Sequence, residues 1–255
     1  MQLKQEIWVL PVKLLRDVRP GDRLHSLILR SLVHNNIVLK DGDIIVIAQK
    51  IVSKAEGQII NLSSLTPTTI AIQLAKKYKK DPRTIELILR QSKNIVKISN
   101  GIIISETKHG FICANAGVDQ SNIMNSGEAA LLLPDDPDAS ARKVMHVLKE
   151  RTNTEIAVII TDSFGRPFRN GQTNVAIGVA GINPIRSYVG EEDMYGKKLK
   201  VTEIAVVDEL ASTAELVMGK SKGIPIAVIR GFDYVRNENA VINGLIRERE
   251  KDLFR

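Results

Sequence analysis

Cysteine is almost absent from this 255-residue chain, where Cys113 stands alone. A single thiol excludes a disulfide framework and a thiolate metal cluster. Histidine is sparse too: His25, His34, His109 and His146 are scattered, and no HExxH or CxxC spacing occurs. Zinc chemistry therefore has no visible scaffold. Neither a GxSxG elbow nor a GxGxxG fingerprint is present, which removes the common hydrolase and dinucleotide signatures. Aromatic residues are only 4% of the chain, too few for the platforms on which single-stranded nucleic acid stacks. A basic nucleic-acid-binding protein is thus the weaker of the alternatives. No apolar run approaches a membrane span, and the block in MQLKQEIWVLPVK is too short for a signal peptide. The expectation is a cytoplasmic protein without a membrane partner.

What is present is an ordinary globular composition with an excess of cations. The net charge of +7 permits nucleotides, nucleic acid or acidic small molecules as partners, and charge alone does not choose among them. The length suits one large domain or two small ones, and no repeat or linker marks a boundary.

The periodicity predicts strands at Glu6–Leu10, Ile44–Ala48, Ile156–Ile160 and Ile224–Ile229, all short apolar runs. Asp22 is placed to cap a helix to about Val33. A helical hairpin is expected from Pro67 with its break at Asp81-Pro82, and Asp136-Pro137 is a well-formed helix start. A helix from Thr202 to Met218 and a terminal helix over Asn239–Phe254 complete the set. Between them, Ile95–Ile98, Ile102–Ser105 and Phe111–Ala114 are strands joined by the turns Asn100-Gly101 and His109-Gly110. Strands joined so tightly are antiparallel, which argues for an α+β fold over a purely doubly wound one.

Candidate chemistry gathers at Glu155–Asn174. The strand is expected to stop at Thr161-Asp162-Ser163, with Gly165 and Pro167 breaking regular structure before the polar loop of Arg166, Arg169, Asn170, Gln172 and Thr173. An acid at a strand end followed by cations suits a metal and phosphates; a turn aspartate with two solvated arginines is the plainer reading. Asp119, near Asn115, Ser121 and Asn122, is open to the same two readings. Gly219-Lys220-Ser221 is not a Walker loop, because Ala214 stands where that motif needs glycine.

Taken together, six blocks carry a more specific signal. DGDIIVIAQKIVSKAEG (41–57), FICANAGVDQSN (111–122), LLLPDDPDASA (131–141), ITDSFGRPFRNGQTNVAIG (160–178), YGKKLKVTEIAVVDELASTAELVMGK (195–220) and GIPIAVIRG (223–231) resemble, in order, the coenzyme F420-0:L-glutamate ligase family. The resemblance implies a mixed, largely antiparallel α+β fold with packed helices, one ligase-type domain over the chain, and an intertwined homodimer. It implies γ-linked addition of L-glutamate to F420-0 with GTP as co-substrate, two magnesium or manganese ions, and potassium. By the same resemblance Asp119, Asp162 and Ser163 are metal ligands. Leu10, Pro11, Val12, Lys13, Gln49, Lys50, Lys54, Asn122, Met218, Gly219, Lys220 and Ser221 are GTP contacts. Lys220 departs from relatives that carry a glutamate metal ligand there, since an ammonium cannot bind a metal. Arg166 and Arg169 are added on chemical grounds, as catalytic clamps on phosphate or carboxylate. A ligase of the same fold acting on another carboxylate would show the same blocks.

Overall fold

The computed structural model describes residues 6–121 and 127–253. In chain order the elements are β1 (Trp8–Val12), α1 (Leu24–His34), β2 (Ile44–Ala48), α2 (Gln49–Ala55), β3 (Ile59–Asn61), α3 (Thr69–Tyr78) and α4 (Pro82–Gln91). Then follow β4 (Ser92–Ser99), β5 (Ile102–Thr107), β6 (Ile112–Ala114), β7 (Ala129–Leu131), α5 (Pro137–Thr152), β8 (Ala157–Arg166) and β9 (Arg169–Ala180). The last are β10 (Arg186–Ser187), β11 (Glu203–Ile204), α6 (Val206–Met218) and β12 (Ile226–Arg230). The fold is mixed α+β with mostly antiparallel sheets.

The principal sheet has the order β1-β12-β2-β8-β9, and its only parallel pair is β2 with β8. Ile44–Ile47 and Ala157–Ile160 are wholly buried, as continuous apolar strands covered on both faces must be. Helix α5 packs on β8 and β9, while α6 crosses β9, β12 and β1. Gly178 makes the first contact possible: a Cβ there would lie 2.6 Å from the Pro137 backbone at the start of α5. That helix begins as expected, with the Asp136 carboxylate accepting from Ala139 N at 2.8 Å and Pro137 at its first position. Smaller apolar clusters lie under the α3–α4 hairpin and the β4-β5-β6 meander.

Several expectations are corrected. The segment after Thr161 is not a loop: β8 continues to Arg166 and pairs with β9 through Gly165↔Gln172. Pro167 does not interrupt this ladder because it sits in the two-residue turn, with Phe168 at φ 60°. Within the ribbon the register slips between Ile160/Gly178 and Thr161/Ala176, which leaves Ile177 as an extra bulged residue. The basic turn after β2 is the helix α2. Pro11 lies inside β1 rather than ending it, which an edge strand tolerates. Asp22 does not cap α1, since its carboxylate takes Arg16 and Arg19 N instead. The helix expected from Thr202 begins at Val206. No terminal helix forms among the described residues; the tail makes short 3-10 turns at Ile242–Leu245 and Arg249–Lys251. Ile242 N donates to the buried Asp138 carboxylate at 3.0 Å, so the tail's backbone is engaged with α5 instead of with itself.

Candidate functional site

A cleft of about 1020 Å³ opens where the parallel pair ends, since Ala48 and Thr161 are the last paired residues of β2 and β8. Ligand sites favour this position, beyond the carboxyl ends of parallel strands. Past Thr161 the strand β8 keeps only β9 as a neighbour, which leaves its other edge toward the cleft.

Two carboxylates meet at the floor. Asp162 follows directly on the buried strand; burial pushes its carboxyl up to about 6, Asp119 pushes the same way, and Ser163 N–H, Lys50 and Lys220 oppose them. Asp119 is fixed by backbone bonds to Leu131 in both directions, N···O 3.0 and 2.8 Å. Burial pushes its carboxyl up, but the Lys50 ammonium at 2.6 Å and Ser121 N–H at 2.7 Å outweigh that, and the net shift is downward. Lys50 also donates to Ser121 Oγ at 2.6 Å. Asp119 is therefore ionised at neutral pH, while burial makes the charged form of Asp162 costlier than that of an ordinary aspartate. Cys113 lines the same floor; burial pushes its thiol up to about 12, which makes it an inert neutral group.

Beside these carboxylates lies a hydrogen-bonded cluster. Lys220 Nζ bonds Ser163 Oγ and reaches Asn174 Oδ1 at 3.1 Å and Glu215 Oε2 at 3.3 Å. Ser163 Oγ donates to Asn174 Oδ1 at 2.6 Å, and Asn174 Nδ2 donates to Glu215 Oε2 at 3.1 Å. Lys13 and Lys54 add two more cations to the lining.

This donor chemistry fits one hard divalent cation. Among the described residues no group of three or more His, Cys, Asp or Glu side chains converges on a metal site. Two carboxylates and a hydroxyl, with the remaining positions left for phosphate oxygens and water, is how magnesium is usually held. The pressure on Asp162 to stay neutral is what such a cation would relieve.

A model of the F420-0:gamma-glutamyl ligase family matches residues 14–231. The chain belongs to that family. It is 48% identical to the coenzyme F420:L-glutamate ligase of Methanothermobacter thermautotrophicus over 241 residues, 93% of this chain and 94% of that protein. The enzyme of the same name from Methanocaldococcus jannaschii is 48% identical over 218 residues, covering 85% of this chain and 86% of the relative. That from Methanopyrus kandleri is 43% identical over 253 residues and covers 96% of each.

Of the residues that the family resemblance singles out, the cleft brings together Lys13, Gln49, Lys50, Lys54, Asp119, Asp162, Ser163 and the Met218–Ser221 turn. Leu10 and Pro11 instead line a shallow depression with Arg230, and Val12 is wholly buried in the core. Asn122 lies outside the described residues. Arg166 and Arg169 are exposed at the far end of the ribbon and do not line the cleft; Arg166 donates to Asn170 O at 3.0 Å in its own turn. Sequence reasoning passed over Asn174 and Glu215. The alternation of Gln172 and Asn174 on one strand face was the available signal. Glu215, seven residues after Asp208 on α6, shares that residue's helix face.

Proposed function

We propose that the chain is a GTP- and divalent-metal-dependent ligase that joins L-glutamate to coenzyme F420-0. The observation that carries this reading is the pairing of Asp119 and Asp162 on the floor of one cleft lined by Lys13, Lys50, Lys54 and Lys220. Such a site suits a polyphosphate and an anionic acceptor; the family membership supports F420-0 as the acceptor, and GTP is the polyphosphate of this proposal.

A carboxylate and an ammonium do not condense in water, so the acceptor carboxylate must be activated. In the proposed sequence its oxygen attacks the γ-phosphorus of GTP, the bond to the β-phosphate oxygen breaks, and GDP leaves. The ammonium of glutamate gives up one proton to solvent, and the free amine then attacks the acyl carbon, its second surplus proton leaving with the phosphate. The amide bond forms as the bond to phosphate breaks, and inorganic phosphate departs. A magnesium or manganese ion held by Asp119, Asp162 and Ser163 would neutralise phosphate charge. Lys50 and Lys220 hold positive charge at defined atoms beside the same acids, and fixed charges of this kind favour the transition state over the ground state.

The homodimer belongs to this proposal. Residues 186–204 form a two-stranded ribbon that carries Met194, Tyr195 and Val201 at 94, 91 and 86% exposure. An isolated ribbon with apolar side chains in water is marginal, and a second copy of the chain would cover it. Light scattering at micromolar concentration tests this point, with a monomer overturning it.

The decisive experiment mixes F420-0, L-glutamate, GTP and manganese, and reads products by mass spectrometry. The expected product is heavier by one or more glutamyl units. Glutamyl addition with ATP in place of GTP would overturn the nucleotide assignment, and no addition with either nucleotide under any metal would overturn the function. Turnover only with a different acceptor acid would reassign the substrate within the same fold.

A further inference from the structure

We propose that Asn174, a residue with no role in the reading above, is the positioning residue that fixes both Ser163 and Lys220 at the cleft. The inference rests on that reading for its activity assay but on geometry for its argument. Asn174 lies on β9 directly across from Ser163 and is only 4% exposed. Its carboxamide has one possible orientation. At one end the Lys220 ammonium, which can only donate, faces an oxygen; at the other the Glu215 carboxylate, which accepts when ionised, faces the NH2 group. With the amide so pinned, Oδ1 receives both the Ser163 hydroxyl and Lys220 Nζ. Ser163 Oγ donates to Asn174 and accepts from Lys220, so it has one acceptor lone pair left, and that pair is free for a ligand in the cleft.

The support for Asn174 comes from one face of α6. Asp208, Ser212 and Glu215, at positions i, i+4 and i+7, each bond to β9. Asp208 Oδ1 accepts from Ala176 N at 2.8 Å, beside the bulge at Ile177. Ser212 Oγ donates to Asn174 O at 2.8 Å and shares a hydrogen bond with Thr173 Oγ1 at 2.9 Å. The same helix ends in the Met218–Ser221 turn that delivers Lys220. The ladder therefore locks the strand that carries Asn174 to the helix that carries the cation, and Asn174 closes the circuit to the strand that carries the acid. Asn174 is the buried centre of this network, with Lys220 at its exposed rim, and a buried amide whose donors and acceptors are satisfied holds its geometry more tightly than packing alone.

The test compares Asn174→Ala, Glu215→Gln and Glu215→Ala with the parent chain. Glutamyl transfer is measured with F420-0, GTP and manganese, and manganese-dependent GTP binding is measured separately by calorimetry without the acceptor or glutamate. Asn174→Ala is expected to lower kcat on the order of thirtyfold, with the KM for glutamate changed less than about threefold, the signature of lost positioning. Glu215→Gln retains an oxygen that can accept from Asn174 Nδ2 and should stay within about threefold of the parent, whereas Glu215→Ala should fall with Asn174→Ala. A kcat for Asn174→Ala within threefold of the parent overturns the proposal, as does equal loss in the two Glu215 variants. If Asn174→Ala does not fold, the Glu215 pair decides alone. If the parent itself transfers no glutamate, the function fails separately; an approximately tenfold weaker metal-dependent GTP affinity in Asn174→Ala would still uphold the positioning role, and unchanged affinity would overturn it.

Discussion

The two ends of the parallel pair β2/β8 each place an aspartate in the interior, and the protein treats them in opposite ways. At the entry end Asp43 is wholly buried and fully engaged. Arg230 Nε and an Arg230 terminal nitrogen bond its two oxygens at 2.8 and 2.7 Å, and Lys40 N adds a third bond at 2.8 Å. The surrounding backbone is stitched shut by Gly42 N to Glu155 O at 2.7 Å and Ala157 N to Asp43 O at 3.0 Å. At the exit end Asp162 faces a cleft, its nearest help being a backbone N–H and two lysines that act mainly through charge. One carboxylate is matched by the fold itself; the other has only a backbone N–H and more distant charges, and a cleft in front of it. Buried acids are expensive either way, and the difference is the reason Asp162 rather than Asp43 enters the proposed site.

That contrast can be broken at several points. Asp162→Asn should reduce glutamyl transfer by about a thousandfold or more, the effect expected of losing the proposed metal ligand, while circular dichroism shows an unchanged fold; near-parent turnover would remove Asp162 from the reacting centre. Arg230→Met should do the reverse. Leaving Asp43 buried and unmatched should lower unfolding stability by about 3 kcal/mol in urea titrations, with kcat per folded molecule little affected.

A third measurement sharpens the comparison through pH. Unfolded, Asp162 titrates near the ordinary value of about 4; folded and metal-free, it titrates at about 6. The folded state holds the extra proton between those values, so this group's contribution favours folding most below pH 4. It declines as pH rises and is fully lost above pH 6. In EDTA, Asp162→Asn should therefore be more stable than the parent by about 3 kcal/mol at pH 8, with the gap closing toward pH 4. Manganese should shrink the gap by stabilising only the parent. A gap that is independent of pH would contradict the burial argument. Smaller again, Lys50→Met should weaken GTP binding about tenfold and make the remaining affinity less sensitive to salt. Smallest of all, Arg166→Ala at the exposed ribbon end should change both stability and kcat by less than about twofold, or roughly 0.4 kcal/mol.

Much of this arrangement is legible in the residues. Ile44–Ala48 and Ile156–Ile160 read as buried strands because continuous β-branched runs have few other uses, and Asp136-Pro137 reads as a helix start because the cap and the first-turn proline act locally. Asp119 and Asp162 could be singled out by charge and setting, yet only the family resemblance joined two acids 43 positions apart in sequence. What escaped notice depended on partners distant in the chain. Gly165 and Pro167 suggested a break, but β9 supplies the hydrogen bonds that carry β8 onward. The terminal segment has helical periodicity, but Asp138 takes its backbone. Arg166 and Arg169 have suitable chemistry but stand apart from the cleft, since the ten-residue strand β8 carries Arg166 away from the acid that it also bears, and Arg169 pairs with Arg166 at the start of β9. Asn174 has no charge and no motif, and its weight comes entirely from what surrounds it.

The extra residue at Ile177 sets the phase of the whole ribbon. A pleated strand alternates sides with period two, so one inserted residue inverts the assignment of every side chain beyond it. Between the sheet and the ribbon end, that single inversion decides that Asn174, and not Val175, stands opposite Ser163. A ladder that ran on regularly from Ile160↔Gly178, with Ile177 paired instead of bulged, would leave composition, charge and strand propensity untouched while placing Val175 in the amide's position. The cleft would keep its acids and lysines but lose the group that ties them together, so the spacing from Ala180 back to Asn174 is as much a part of the site as any residue that touches a substrate.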